Sequence, residues 1–116
     1  MAERTIALLG LASQTVTADG DSGDIEAWDV SSLRWDLEVT AVVGTSNNAS
    51  FVLENKGADG VYYTLDAQAA NTGTKFGRSI GRGFAINEQI APMVRLRWDL
   101  PASMTSLTFS ASIVGR

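Results

Sequence analysis

Leu33-Arg34-Trp35-Asp36-Leu37-Glu38-Val39-Thr40 is the stretch that decides the fold, because its apolar and polar residues alternate strictly. Successive side chains of a β-strand point to opposite faces, so this alternation indicates a strand with one buried face. A second alternating strand runs from Val94 to Leu100, and a third runs from Leu107 to Ile113. Because no segment shows a helical stripe of comparable length, the sequence predicts an all-β protein.

Turn-forming residues separate these strands at the short spacing of a sandwich or a barrel. The turn segments lie at residues 19–24, 44–48, 56–60 and 101–103. Residues 67–90 are rich in Gly, Ala, Asn and Thr and show no comparable pattern. We predict one domain over residues 1–116, an antiparallel β-sandwich of jelly-roll type with about seven or eight strands. Residues 1–12 are expected to form an arm or an edge strand.

The composition limits the chemistry that this chain can perform. It contains no cysteine and no histidine, which removes disulfides, thiolate metal ligands and the commonest general base. We therefore predict a protein that is not an enzyme and needs no cofactor and no metal. The apolar run from Ile6 to Ala12 is too short to cross a bilayer, so no membrane partner is expected.

The charge is unevenly distributed along the chain. The net charge is −4, but residues 1–66 hold eleven acidic and three basic side chains, and residues 67–116 hold two acidic and six basic ones. An acidic chain lacks the concentrated basic face that nucleic acids require, so no nucleic-acid partner is expected. The opposed halves favour contacts between copies of the chain.

An acidic segment and an arginine pair are the candidate interface. The acidic loop departs from the EF-hand calcium pattern, and the glycine-rich segment around Arg78 and Arg82 lacks the Lys-Ser/Thr ending of a phosphate-binding loop. We expect the acidic segment of one copy to meet the arginines of the next, head to tail, giving a cyclic oligomer with a trimer favoured. The residues are Asp19, Asp21, Asp24, Glu26, Trp28, Arg78 and Arg82.

The pentapeptide Leu-Arg-Trp-Asp-Leu occurs twice, at residues 33–37 and 96–100. Antiparallel pairing of these two strands would place Trp35 opposite Trp98 on one face and three ion pairs on the other. The ion pairs would join Arg34 with Asp99, Asp36 with Arg97, and Glu38 with Arg95. In the alternative, which the sequence leaves open, each strand pairs only with its own hairpin partner and the repeat is coincidental.

Most of the chain can be matched to one known arrangement of strands. The matching segments are Leu8-Leu9-Gly10-Leu11-Ala12-Ser13, Leu33 to Ala41, Gly44-Thr45-Ser46, Phe51-Val52-Leu53-Glu54, Val94 to Trp98, Ser106 to Ser110 and Gly115-Arg116. In this order they resemble small structural proteins encoded in the head and tail gene modules of tailed bacteriophages. The sequence departs from that pattern at Asn47-Asn48, where a proline is usual, and at Val61-Tyr62-Tyr63, which lacks a tryptophan.

The resemblance implies a virion component without enzymatic activity, assembled in the host cytoplasm. Its most direct implication is a capsid decoration protein, which binds the major capsid protein or another virion protein and stabilises the assembled head. The alternative is a carbohydrate-binding β-sandwich module or a fibre- or tail-associated domain. That alternative is favoured if Trp28 and Tyr62 are exposed and coplanar, because aromatic rings can form a platform for sugars.

Overall fold

The computed structural model describes residues 6–27, 30, 32–44, 47–80 and 93–116. These residues form nine strands, and they contain no helix able to span a membrane. The strands are β1 (Ile6–Val16), β2 (Gly20–Asp21), β3 (Ile25–Glu26), β4 (Leu33–Val43), β5 (Ala49–Lys56), β6 (Tyr62–Ala70), β7 (Lys75–Ile80), β8 (Met93–Asp99) and β9 (Ser106–Gly115).

The strands form two antiparallel sheets. Sheet A has the order β1-β9-β4-β7, and sheet B has the order β2-β8-β5-β6 with β3 also paired to β8. The first strand pairs with the last, β2 and β3 pair with β8, β4 pairs with β7, and β5 pairs with β6. These nested pairs fall alternately in sheets A and B, as in a long hairpin rolled up on itself. This arrangement is a jelly roll, so the predicted fold class is confirmed.

The strand count differs slightly from the expected seven or eight, because β2 and β3 are separate two-residue strands. Both lie along β8 and together occupy one strand position of the roll. At the start of the chain, the described part of residues 1–12 belongs to β1, an edge strand of sheet A.

The core lies between the two sheets and is built by the alternating strands. The inward residues of β4 are Leu33, Trp35, Leu37 and Val39, and all are buried. Phe109 of sheet A contacts the rings of Phe51 and Trp98 of sheet B, at centroid distances of 5.0 and 5.2 Å. Burying one large apolar side chain contributes about 1.5–3 kcal/mol, so this packing is the main force that holds the sheets together.

The predicted pairing of the two Leu-Arg-Trp-Asp-Leu strands is wrong. β4 lies in sheet A between β9 and β7, whereas β8 lies in sheet B beside β5. Neither strand pairs with its neighbour in sequence, so the hairpin alternative is also wrong for these two strands. Trp35 and Trp98 both face the core, but from opposite sheets. The identical patterns arise because both are inner strands with one face in the same core.

The charged residues of the repeat find partners nearer than the predicted ones. Asp36 pairs with Arg34 on its own strand and Glu38 pairs with Lys75 on β7. On β8, Arg97 pairs with Asp99 and Glu54, while Arg95 pairs with Glu54 and Asp21. The charges of the repeated segments are therefore matched within their own sheets, and they do not bring β4 and β8 together.

Candidate functional site

The outer face of sheet B carries a network of charges centred on Glu54. Its side chain is nearly buried, and its Oε1 accepts a hydrogen bond of 2.8 Å from Nε of Arg95. Nε of Arg97 lies 3.4 Å from the same oxygen, at ion-pair distance but without hydrogen-bond geometry. Removing one member of a nearly buried ion pair leaves the other uncompensated, so these groups depend on one another.

Tyr62 extends this network towards the acidic loop. Its hydroxyl donates a hydrogen bond to Asp24, whose other carboxylate oxygen lies 3.3 Å from Nζ of Lys56. The hydrogen bond from Tyr62 lowers the pKa of Asp24 and raises the pKa of Tyr62 itself. The guanidinium of Arg95 stacks 3.5 Å from the centroid of the Tyr62 ring, where a cation is attracted to the aromatic face.

This geometry bears on the predicted sugar platform. One face of the Tyr62 ring is covered by Arg95 and its hydroxyl is engaged by Asp24. Trp28, the other member of the predicted platform, lies outside the described residues. Tyr62 therefore takes part in the charge network, and the sugar platform of Trp28 and Tyr62 stays a prediction.

The acidic loop is bound to β8 of its own chain. Asp19 accepts a hydrogen bond of 2.7 Å from the backbone N–H of Leu100, and Asp21 lies 3.5 Å from Arg95. Glu26 is exposed at the end of β3, opposite Met93. Within the described part of the chain, no three metal-ligating side chains form a cluster that could hold an ion.

The described arginine of the predicted interface is also engaged within the chain. Nε of Arg78 donates a hydrogen bond of 2.7 Å to Asp66 on β6, while Arg82 lies outside the described residues. The head-to-tail contact stays a prediction. These intrachain pairs oppose it, because Asp21, Asp24 and Arg78 would have to exchange existing partners for intermolecular ones.

A broad furrow crosses the outer face of sheet A and was not predicted from the sequence. It has a volume of about 780 Å³. The sheet register places Gly10, Ser112, Asp36 and Gly77 in one row, with one residue from each of β1, β9, β4 and β7. Small side chains form most of its floor, and for that reason the face is depressed there.

Two ion pairs and two hydroxyls provide the polar groups of the furrow. The carboxylate of Asp36 accepts hydrogen bonds from Arg34 at 3.0 and 3.1 Å and from the hydroxyl of Ser112 at 3.2 Å. Beside them, Nζ of Lys75 lies 3.3 Å from Glu38, and Ser110 also lines the furrow. A Cβ at Gly77 would overlap both Arg34 and Asp36, so a glycine at this position allows their ion pair to lie over β7.

The signal for this furrow was present in the sequence but distributed over four strands. β9 carries Ser110 and Ser112 in its outward phase, which is a run of small polar residues on an exposed face. Only the register of sheet A shows that Gly10 and Gly77 extend the same row to both edges.

No protein-family model matches this sequence, and a search of curated proteins finds no significant match. The chain is therefore assigned to a structural class from its fold and its described surfaces. The chain is an antiparallel jelly-roll β-sandwich with a charge network on one outer face and a polar furrow on the other.

Proposed function

We propose that this chain is a structural protein of a tailed-bacteriophage virion, and that it binds the assembled head as a decoration protein. The resemblance of its strand pattern supports the phage assignment. The jelly roll is frequent among viral capsid proteins, although a fold by itself does not establish a function. The absence of histidine and cysteine from the sequence agrees with a role in binding.

The edge strand β1 is the observation that carries the proposal. Its eleven residues contain no charged side chain and no proline. An edge strand presents unpaired backbone groups, and proteins usually protect such edges with charges, proline, bulges or short length. Two register shifts interrupt β1 against β9, so bulges are the protection it has in its described residues.

The other edge strands carry charged residues or are very short. β7 carries Lys75 and Arg78, β6 carries Asp66, and β2 and β3 have only two residues each. β1 is therefore the long edge without charges in the described part of the molecule. We place the contact with the capsid there, because an uncharged edge can accept a partner segment without burying an unpaired charge.

The test is to image this protein mixed with its undecorated capsid by negative stain and to measure binding by co-sedimentation. In the informative variant, Ala7→Lys and Ser13→Lys place two charges on exposed positions of β1. We expect the double variant to fold normally and to lose at least about tenfold in affinity, the equivalent of 1.4 kcal/mol.

A matched control has the same change of charge on other edges. Ser79→Lys on β7 and Ala69→Lys on β6 alter exposed positions and should leave capsid binding unchanged. Absence of the protein from the capsid at saturating concentration contradicts the proposed function. Binding that is equally weakened by both double variants contradicts the assignment of the contact to β1.

A further inference from the structure

We propose that the furrow on sheet A is a binding site for a neutral oligosaccharide. This site lies on the outer face of the sheet, whereas the capsid contact is placed on the edge of β1. The inference therefore stands or falls separately from the proposed function.

A glycine, Gly10, lies at the β1 end of the furrow. Gly10 pairs in register with Ser112, between the two irregular positions of β1. A Cβ at Gly10 would have no described atom within 4 Å, so packing against the described residues does not require glycine. Glycine inside a strand is costly, and it often marks a bulge or the close approach of a ligand or another backbone. Gly10 lines the furrow, so a ligand that approaches Gly10 closely would contact the floor of the furrow.

The charged side chains that line the furrow balance one another. Arg34 and Lys75 are matched by Asp36 and Glu38, and each acid lies within 3.3 Å of a base. The formal charge of these four groups is zero, so they offer no net attraction to a polyanion or a polycation. The furrow suits a ligand that is polar but uncharged.

The hydrogen-bonding groups that the furrow offers belong to side chains and not to the backbone. The register ladders of sheet A hold the backbone of the furrow strands in pairs with one another. An extended peptide lying across this face would find few free backbone partners, which are what usually bind an added strand. Side-chain carboxylates, hydroxyls and cationic donors are available instead, and sugar hydroxyls both donate and accept.

The central acceptor of the furrow is already held in place. Asp36 is fixed by Arg34 and by Ser112, while its side chain remains 40% exposed. A group that is fixed before binding loses little conformational freedom when the ligand arrives. Asp36 and Ser112 are therefore the groups that we expect to contact the sugar.

The experiment is a titration of the ¹⁵N-labelled chain with neutral oligosaccharides, followed by amide chemical shifts. The probes are the hexamers of maltose, cellulose, xylan and chitin type, with a hyaluronan hexamer as the anionic comparison and a Gly-Ser peptide as the extended-chain comparison. We expect at least one neutral hexamer to bind at millimolar concentration or below, with the largest shifts around Gly10, Asp36 and Ser112.

Gly10→Val is the decisive variant. A Cβ at Gly10 meets no described atom within 4 Å, and β-branched residues favour strands, so we expect this variant to fold at least as well as the parent chain. It fills the furrow and should reduce the affinity for the oligosaccharide by about tenfold or more. Ala69→Val, an exposed position on sheet B, is the matched control and should leave binding unchanged.

Three results would overturn the proposal. One is the absence of binding by every neutral hexamer at millimolar concentration. Another is binding of the peptide or the hyaluronan in preference to all neutral probes, which would assign the furrow to a different ligand class. The third is a Gly10→Val variant that folds and binds the sugar as the parent does. Since none of these measurements involves a capsid, failure here is distinguishable from failure of the decoration role.

Discussion

The indole N–H of Trp35 donates a hydrogen bond to Oδ2 of Asp66, 2.9 Å away, and this bond joins sheet A to sheet B. Trp35 is fully buried, and the Asp66 side chain is only 9% exposed. Arg78 donates to the same oxygen from β7. A single carboxylate thus connects β4 and β7 of one sheet with β6 of the other, on top of the apolar packing of the core.

We predict that Asp66→Ala lowers the free energy of unfolding by about 2–4 kcal/mol, because it leaves the buried Trp35 N–H without an acceptor and removes the ion pair with Arg78. Urea unfolding followed by circular dichroism measures this loss. Asp99→Ala is the control, since its ion pair with Arg97 is partly exposed and such pairs contribute at most about 1 kcal/mol. Equal losses in the two variants would contradict the role of Asp66 as a link between sheets.

The hydrogen bond from Tyr62 to Asp24 predicts a dependence of stability on pH at both ends of the scale. It holds the pKa of Asp24 below its ordinary 3.8, so this contribution to stability is present above pH 3.8 and is lost as the pH falls through the lowered pKa. It also raises the pKa of Tyr62 above 10, so the contribution is present below pH 10 and is lost as the pH rises through the raised pKa.

Tyr62→Phe should therefore flatten the pH profile of the unfolding free energy at the acid and the alkaline ends, relative to the parent chain. Urea titrations from about pH 2 to about pH 11 provide the measurement. Tyr63→Phe is a matched comparison, because Tyr63 donates a similar hydrogen bond to Asp59. This bond lowers the pKa of Asp59 and raises the pKa of Tyr63. A Tyr62→Phe profile that keeps the parent slope at both ends would refute the assignment.

Gly44, at the end of β4, is a position where we predict a steric penalty. Its φ is 117°, and a Cβ there would overlap the backbone oxygen of Ser103. Gly60 also has a positive φ, of 80°, but has open space around its Cβ position among the described residues. Gly44→Ala should cost about 1–3 kcal/mol more than Gly60→Ala, because only the first adds an overlap to the backbone strain. Thermal unfolding of both variants checks this, and equal melting temperatures would contradict it.

The strands with one buried face were predictable because their signal is local. The alternation of Leu33, Trp35, Leu37 and Val39 needs no knowledge of the rest of the chain, and these residues are buried as expected. β7 was not predictable in the same way. It is a short edge strand whose residues are mostly exposed, so no strong alternation of apolar and polar residues marks it.

The sequence could not predict which strands lie side by side in the folded molecule. The identical segments around Trp35 and Trp98 fit a direct pairing and also fit two opposed sheets that share one core. Local charge matches contribute too little to choose between these arrangements. The two opposed sheets form because this arrangement buries the apolar faces of all the strands at once. That burial is a property of the whole jelly roll and not of any one strand.

The sequence alone therefore predicted the β character, through an alternation of apolar and polar residues that is visible over a few neighbouring positions. Tertiary structure alone decided which surfaces exist. Gly10, Asp36, Gly77 and Ser112 are far apart in the chain and meet in one row only because sheet A sets β1, β9, β4 and β7 side by side. Long-range register depends on closing the whole core, and no short segment contains that information.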